Sequence, residues 1–207
     1  MNIERKSNIE LLRIFSILGV IILHYNNTQI GGGLKFVETN SINYLTLFIF
    51  ESLFICAVNV FVIISGYFLI RKSSRNLWKI IELILQVMLI NAIFYVWNDC
   101  IIGKTFSFNK LLGSLIPNNY FVILYSTLYI VSPYINKIVE NINLNDYKRF
   151  LLIIFIVFSI YPTAIDLLEE IFNKELVGMS TIGIYGSQYG YTIVNFILMY
   201  LIGRIFI

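Results

Sequence analysis

Within ELLRIFSILGVIILHY, residues 10–25, an otherwise apolar stretch carries Glu10, Arg13 and the chain's single histidine, His24. Arg13 and His24 lie eleven residues apart, which on a straight α-helix is about three turns plus 20° and a rise of about 16 Å. They share a face, and Glu10 falls on the same stripe. A guanidinium is a permanent cation suited to phosphate or carboxylate. An imidazole takes up and gives back protons near neutral pH. Charged groups inside a span are costly and normally turn toward a bundle interior or a cavity, so this stripe is expected to face the rest of the protein and to mark a pathway across the membrane. The plainer alternative is a local Glu10–Arg13 ion pair that orients the helix, with His24 an interfacial residue.

The setting of these residues follows from composition. Hydrophobic residues make up 58% of the 207 positions, charged residues only 13%, and the mean hydropathy is +0.79. With apolar runs of roughly 20 residues recurring along the length, these values exclude an ordinary soluble domain and predict an all-α polytopic transmembrane bundle. Six spans are expected, at about 8–26, 52–70, 79–98, 117–135, 150–168 and 189–207. The first has no small-residue cleavage pattern after its apolar core, so it reads as a retained span and not as a signal peptide. With the N-terminus in the cytoplasm, Arg5, Lys6, Arg71, Lys72, Arg75, Lys79, Lys137, Lys148 and Arg149 fall inside, while Lys35, Lys104, Lys110 and Lys174 fall outside. That asymmetry is the positive-inside bias, and it disfavours the reverse orientation. Tyr95, Trp97 and Tyr120 then fall near outer boundaries, where amphipathic rings favour the headgroup region.

Residues 27–51 form the longest outer connection, with GGG at 31–33 and a second half, INYLTLFIFE, that reads as a helical or interfacial lead into the second span. That placement keeps the Glu51 carboxylate near the outer surface. Pro162, in SIYPTA, should kink or interrupt the fifth helix. Cys56 and Cys100 have neither disulfide nor metal-ligand spacing, and no bound metal is expected. Without an internal repeat or low-complexity tract, the chain reads as one membrane domain over 1–207.

Other polar residues are weaker signals. In SGYFLIRKSSRNLWK, residues 65–79, the basic residues Arg71, Arg75 and Lys79 are spaced i, i+4 and would share one face if helical. A topology signal bound to anionic lipids is the bland reading. Ser65 and Gly66 suit close helix packing, a close ligand approach being the alternative. Glu82 and Gln86 suggest an inward polar face on the third span. Tyr125, Tyr129 and Ser132 line one side of the fourth, where packing is the commoner use. Asp99, Asp166, Glu169 and Glu170 read as solvated charges near outer ends.

RIFSILGVIILHY at 13–25, NVFVIISGYFLI at 59–70 and NYFVILYSTLYIVSPYIN at 119–136, in that order, make the chain resemble acyltransferase family 3, the bacterial integral-membrane O-acyltransferases. The third segment resembles a family helix that ends in a Ser-Pro-aromatic-x-Asn turn, with Tyr120 where a tryptophan often stands. The resemblance implies about ten spans in a longer chain, so this sequence resembles the N-terminal portion and lacks the last helices. It also implies transfer of an acyl group, commonly acetyl, from a cytoplasmic acyl-CoA to a hydroxyl of a cell-envelope or exported polysaccharide. His24 and Arg13 are then the catalytic candidates, His24 as general base or as a transient acyl carrier. Arg71 and Arg75, after the SGYF-like motif, would hold the donor's phosphates. Tyr120 and Tyr125 are the candidates for substrate binding. The expected partners are membrane lipids and a glycan acceptor, with no nucleic acid, and the expected location is the bacterial plasma membrane. Rival readings are a transporter or flippase of a lipid-linked glycan, which a polar stripe equally suits, and an inactive acyltransferase fragment.

Overall fold

The computed structural model describes residues 7–28, 30–72, 74–117, 119–174 and 192–206, and among these every regular element is helical. Five helices are long and apolar enough to cross a membrane: Ser7–Asn26, Ile42–Leu69, Trp78–Ile102, Tyr120–Glu140 and Leu144–Phe172. A shorter apolar helix, Ile193–Phe206, stands where the sixth span was expected. Positions 189–191 and 207 of that expected span lie outside the described residues.

The first span, α1 (Ser7–Asn26), keeps nearly its expected bounds. The second starts ten residues earlier than expected. Ser41 opens α3 (Ile42–Phe54) by accepting the Tyr44 N–H at 3.1 Å, an N-cap that supplies a partner for one orphan amide of the first turn. A turn at Ile55 and Cys56 separates α3 from α4 (Ala57–Leu69). Glu51 is consequently part of a long apolar helix and not of its lead-in, and its carboxylate accepts from Asn26 Nδ2 at 3.1 Å. A short helix, α2 (Gly33–Phe36), follows the glycine turn.

The third span runs through α5 (Trp78–Tyr95) into a π-helical turn, Val96–Ile102, and α6 (Phe108–Leu115) folds back on α5. Tyr95 is buried, not an interfacial ring: its hydroxyl donates to Ser107 O and accepts from Ser107 N, both at 2.8 Å. Asp99 is likewise paired, with Lys110 Nζ at 3.1 Å. The fourth span, α7 (Tyr120–Glu140), does not end in a turn at its Ser-Pro pair but continues two turns beyond Pro133. In the fifth, α8 (Leu144–Phe155) passes through a π-helical turn, Ile156–Ile160, into α9 (Tyr161–Phe172). Pro162 stands in the first turn of α9, so the interruption expected of it takes the form of the wide turn just before.

The chain packs as two compact units, Met1–Leu69 with Leu198–Ile207, and Ile70–Ile197. In the first, α1 lies against α3 and α4. Gly19 makes that approach possible, since a Cβ there would sit 2.5 Å from the Phe54 ring and 3.0 Å from Ala57 Cβ. The last helix, α10 (Ile193–Ile202), ends in a 3-10 turn, Gly203–Phe206, which packs on α4. A Cβ on Gly66 would lie 2.1 Å from Tyr200 O, and one on Gly203 would lie 2.5 Å from Ile63 O. This is backbone-to-backbone packing through small residues, as membrane helices use it, and it bears out the packing reading of Gly66.

Candidate functional site

In the first unit, the packed seam of α1 runs through Ser16, Gly19 and Asn26, all buried. Arg13 and His24 lie on the flank of that seam, Arg13 half-buried and His24 exposed. The stripe was expected to face the rest of the protein; within its own unit it flanks the seam, where Gly19 and Ser16 are the residues small enough for α3 and α4 to approach. Arg13 has two partners. Glu10 lies one turn before it at 3.4 Å, and the guanidinium carbon stands 5.6 Å from the centre of the Phe68 ring. The Glu10 pair matches the local ion pair considered from sequence. The Phe68 contact ties the first motif to the SGYF motif, a link that no spacing rule reveals.

At the other end of α1, the glycine turn folds back on the helix terminus. Gly31 N donates to His24 O at 3.0 Å, and Gly32 N to Asn27 O at 2.7 Å, so carbonyls that the last turn would leave orphaned find donors. Gly32 takes a left-handed φ of 74°, and a Cβ on Gly31 would lie 2.3 Å from Tyr25 O. The residue after Tyr25, Asn26, is fully buried and donates to Leu47 O at 2.9 Å as well as to Glu51. These contacts fix the helix end that presents His24. The imidazole itself is exposed and makes no hydrogen bond among the described residues.

In the second unit, residues 70–72 and 74–77 are not helical, so Arg71, Arg75 and Lys79 form no common helical face. Arg71 is exposed in the turn, and Lys79 is exposed in the first turn of α5. Arg75 instead lies against α7. Its Nε donates to Ser132 Oγ at 2.8 Å, its Nη1 to Lys72 O at 2.9 Å and Ser74 O at 3.2 Å, and its Cζ stands 5.7 Å from the centre of the Tyr129 ring. One turn beyond Ser132, Asn136 Nδ2 donates to Lys72 O at 3.0 Å. Tyr129, Ser132 and Asn136 thus form one polar row, spaced i, i+3, i+7, that grips the basic loop. From sequence, the row's aromatic and hydroxyl members were read as packing. Three polar residues on one face of a span were the available signal.

The two tyrosine candidates for substrate binding are placed less distinctively. Tyr125 is half-buried and stacks on Phe121 with ring centres 5.5 Å apart, and Phe121 in turn meets Phe196 at 5.9 Å. Tyr120 is half-buried at the first position of α7, on a different side of the helix from Tyr125. Glu82 and Gln86 are exposed.

An apolar helix long enough to cross a membrane, carrying a paired arginine and an exposed imidazole, and a basic loop held by a second such helix are the polar features that the geometry brings out in this helical membrane protein. The family model described as an acyltransferase domain, that of acyltransferase family 3, matches residues 6–207, and the chain belongs to that family of membrane acyltransferases. No curated protein and no solved structure was found to match it.

Proposed function

We propose that this acyltransferase moves an acyl group, acetyl in the simplest case, from a cytoplasmic acyl-CoA to a hydroxyl of a cell-envelope or exported polysaccharide. The observation that carries the reading is the imidazole of His24, exposed and, among the described residues, without a competing partner, at the end of the helix that also orders Arg13. As general base, His24 takes the proton of the acceptor hydroxyl while its oxygen attacks the thioester carbonyl. The carbon–sulfur bond then breaks, and the proton passes on to the departing thiolate, so that ester and free CoA leave. Arg71, exposed, and Arg75, held by α7, are suited to the phosphates of the donor. Arg13 serves the reaction by holding the donor or by placing the helix.

The test is His24→Ala in a membrane assay of labelled acetyl incorporation into envelope glycan, scored against immunodetected protein. Loss of incorporation at normal abundance is expected, because an exposed side chain contributes little packing. Near-normal incorporation removes His24 from the reaction. Incubating the wild-type protein with labelled donor alone separates the two imidazole routes, since only acyl transfer through histidine leaves label on His24.

A further inference from the structure

We propose that Ser132 is a positioning residue for Arg75: the serine hydroxyl, directed by Pro133, sets the guanidinium that faces the donor. The functional part of this inference rests on the donor-binding reading of Arg75 given above.

Proline has no amide hydrogen, so Tyr129 O, the carbonyl four residues before Pro133, lacks the donor that a continuous helix would supply. Ser132 Oγ donates to that carbonyl at 2.8 Å. A hydroxyl has a single proton. Once it is committed to Tyr129 O, what Ser132 can offer Arg75 is a lone pair, and Arg75 Nε donates to it at 2.8 Å. Ser132 is 0% exposed, so bulk water does not compete for either bond. The same tyrosine that receives the hydroxyl proton through its carbonyl lies beneath the guanidinium with its ring. Without Pro133, the Tyr129 carbonyl would have a backbone donor and the hydroxyl would be free to turn. The proline therefore fixes which way the serine hydroxyl points. Arg75 Nη1 closes the arrangement by holding the carbonyls of Lys72 and Ser74, so the guanidinium plane is determined by α7 and the loop together.

Two readouts test this in the full chain, purified in lipid nanodiscs. The first is the rate at which phenylglyoxal modifies Arg75, mapped by mass spectrometry. Ser132→Ala should raise it several-fold, Ser132→Thr should restore the wild-type rate, and Pro133→Ala should give an intermediate rate. An unchanged rate in Ser132→Ala overturns the positioning role, whatever Arg75 binds. The second is the affinity for CoA, used as the probe. Ser132→Ala should weaken binding about tenfold, the size expected of one hydrogen bond to a charged group. In an Arg75→Ala background the same change should cost nothing more, because the serine acts through the arginine. Equal losses in both backgrounds mark Ser132 as a general support of the fold and overturn the proposal. Unchanged CoA affinity in Arg75→Ala, with Arg75 still more reactive in Ser132→Ala, overturns the donor reading and the functional claim built on it, while the geometric link stands.

Discussion

At the scale of single residues, the contrast lies between a cation that is held and an imidazole that is not. Arg13 is pinned between a carboxylate at 3.4 Å and the Phe68 ring at 5.6 Å. Its pair with Glu10 is about one-third exposed on each side, and a pair of that kind contributes roughly 0–1 kcal/mol. Stacking of the planar guanidinium on an aromatic face is worth about 0.5–2 kcal/mol, more as water is excluded. The two contacts therefore rank differently. Arg13→Lys keeps the charge and loses the plane, and it should lower glycan acetylation severalfold at normal abundance. Glu10→Gln should lower it less. Incorporation assays normalised to membrane protein compare the two, and wild-type activity in Arg13→Lys would reduce Arg13 to a point charge. His24 has no such support on its ring, which suits a group whose partner arrives with the substrate.

At the scale of elements, glycine decides where helices touch backbone to backbone. The Cβ that Gly66 lacks would lie 2.1 Å from Tyr200 O, a backbone atom with no rotamer to yield. Gly66→Leu should therefore lower the melting temperature of the detergent-solubilised protein, by the roughly 1–3 kcal/mol typical of overpacking or more. Gly113, in α6, has nothing within 4 Å of its missing Cβ. Gly113→Ala should be neutral or slightly stabilising, since alanine is the better helix former by about 1 kcal/mol. Equal melting of Gly66→Leu and wild type would show that the α4 contact is not tight. These elements also mark how far sequence reaches. The spans, the packing glycine of SGYF and the break near Pro162 were legible because each is a local consequence of composition or covalent geometry. The non-helical backbone at 70–72 and 74–77 was not. Its i, i+4 basic spacing suits a helix, and what overrides it is α7, whose Ser132 lies 57 residues from Arg75. The earlier start of the second span was hidden for a related reason: Glu51 looks too costly for a long apolar helix until Asn26, 25 residues away, supplies its hydrogen bond.

At the scale of the whole molecule, the distribution of charge decides which side of the membrane each functional group occupies. The proposed reaction needs the Arg71 and Arg75 loop on the donor's side. Arg71, Lys72, Arg75 and Lys79 cluster at the connection after the second span, and Lys137, Lys148 and Arg149 lie in the helix turns on either side of the connection after the fourth, so the positive-inside bias predicts that both connections are cytoplasmic. The structure narrows where reporters belong: Thr39 and Ser74 lie in connections outside the helices, and Asn141 closes α7 just before α8. With Cys56 and Cys100 replaced by Ala, Thr39→Cys should react with a membrane-impermeant maleimide on intact cells. Ser74→Cys and Asn141→Cys should react only after permeabilisation. Labelling of Ser74→Cys on intact cells would put the basic loop outside, away from any cytoplasmic thioester. Arg71 and Arg75 would then have to meet an external anion, and the donor would need another site. Protection of Thr39→Cys together with Ser74→Cys would instead mean that the stretch from 42 to 69 does not cross. Its 28 residues, with a turn at Ile55 and Cys56, would then form a helical pair entering and leaving on one side. The expected pattern of one reactive and two protected positions would place the end of α1 carrying His24 and the loop carrying Arg75 on opposite faces of the membrane, as the proposed reaction needs.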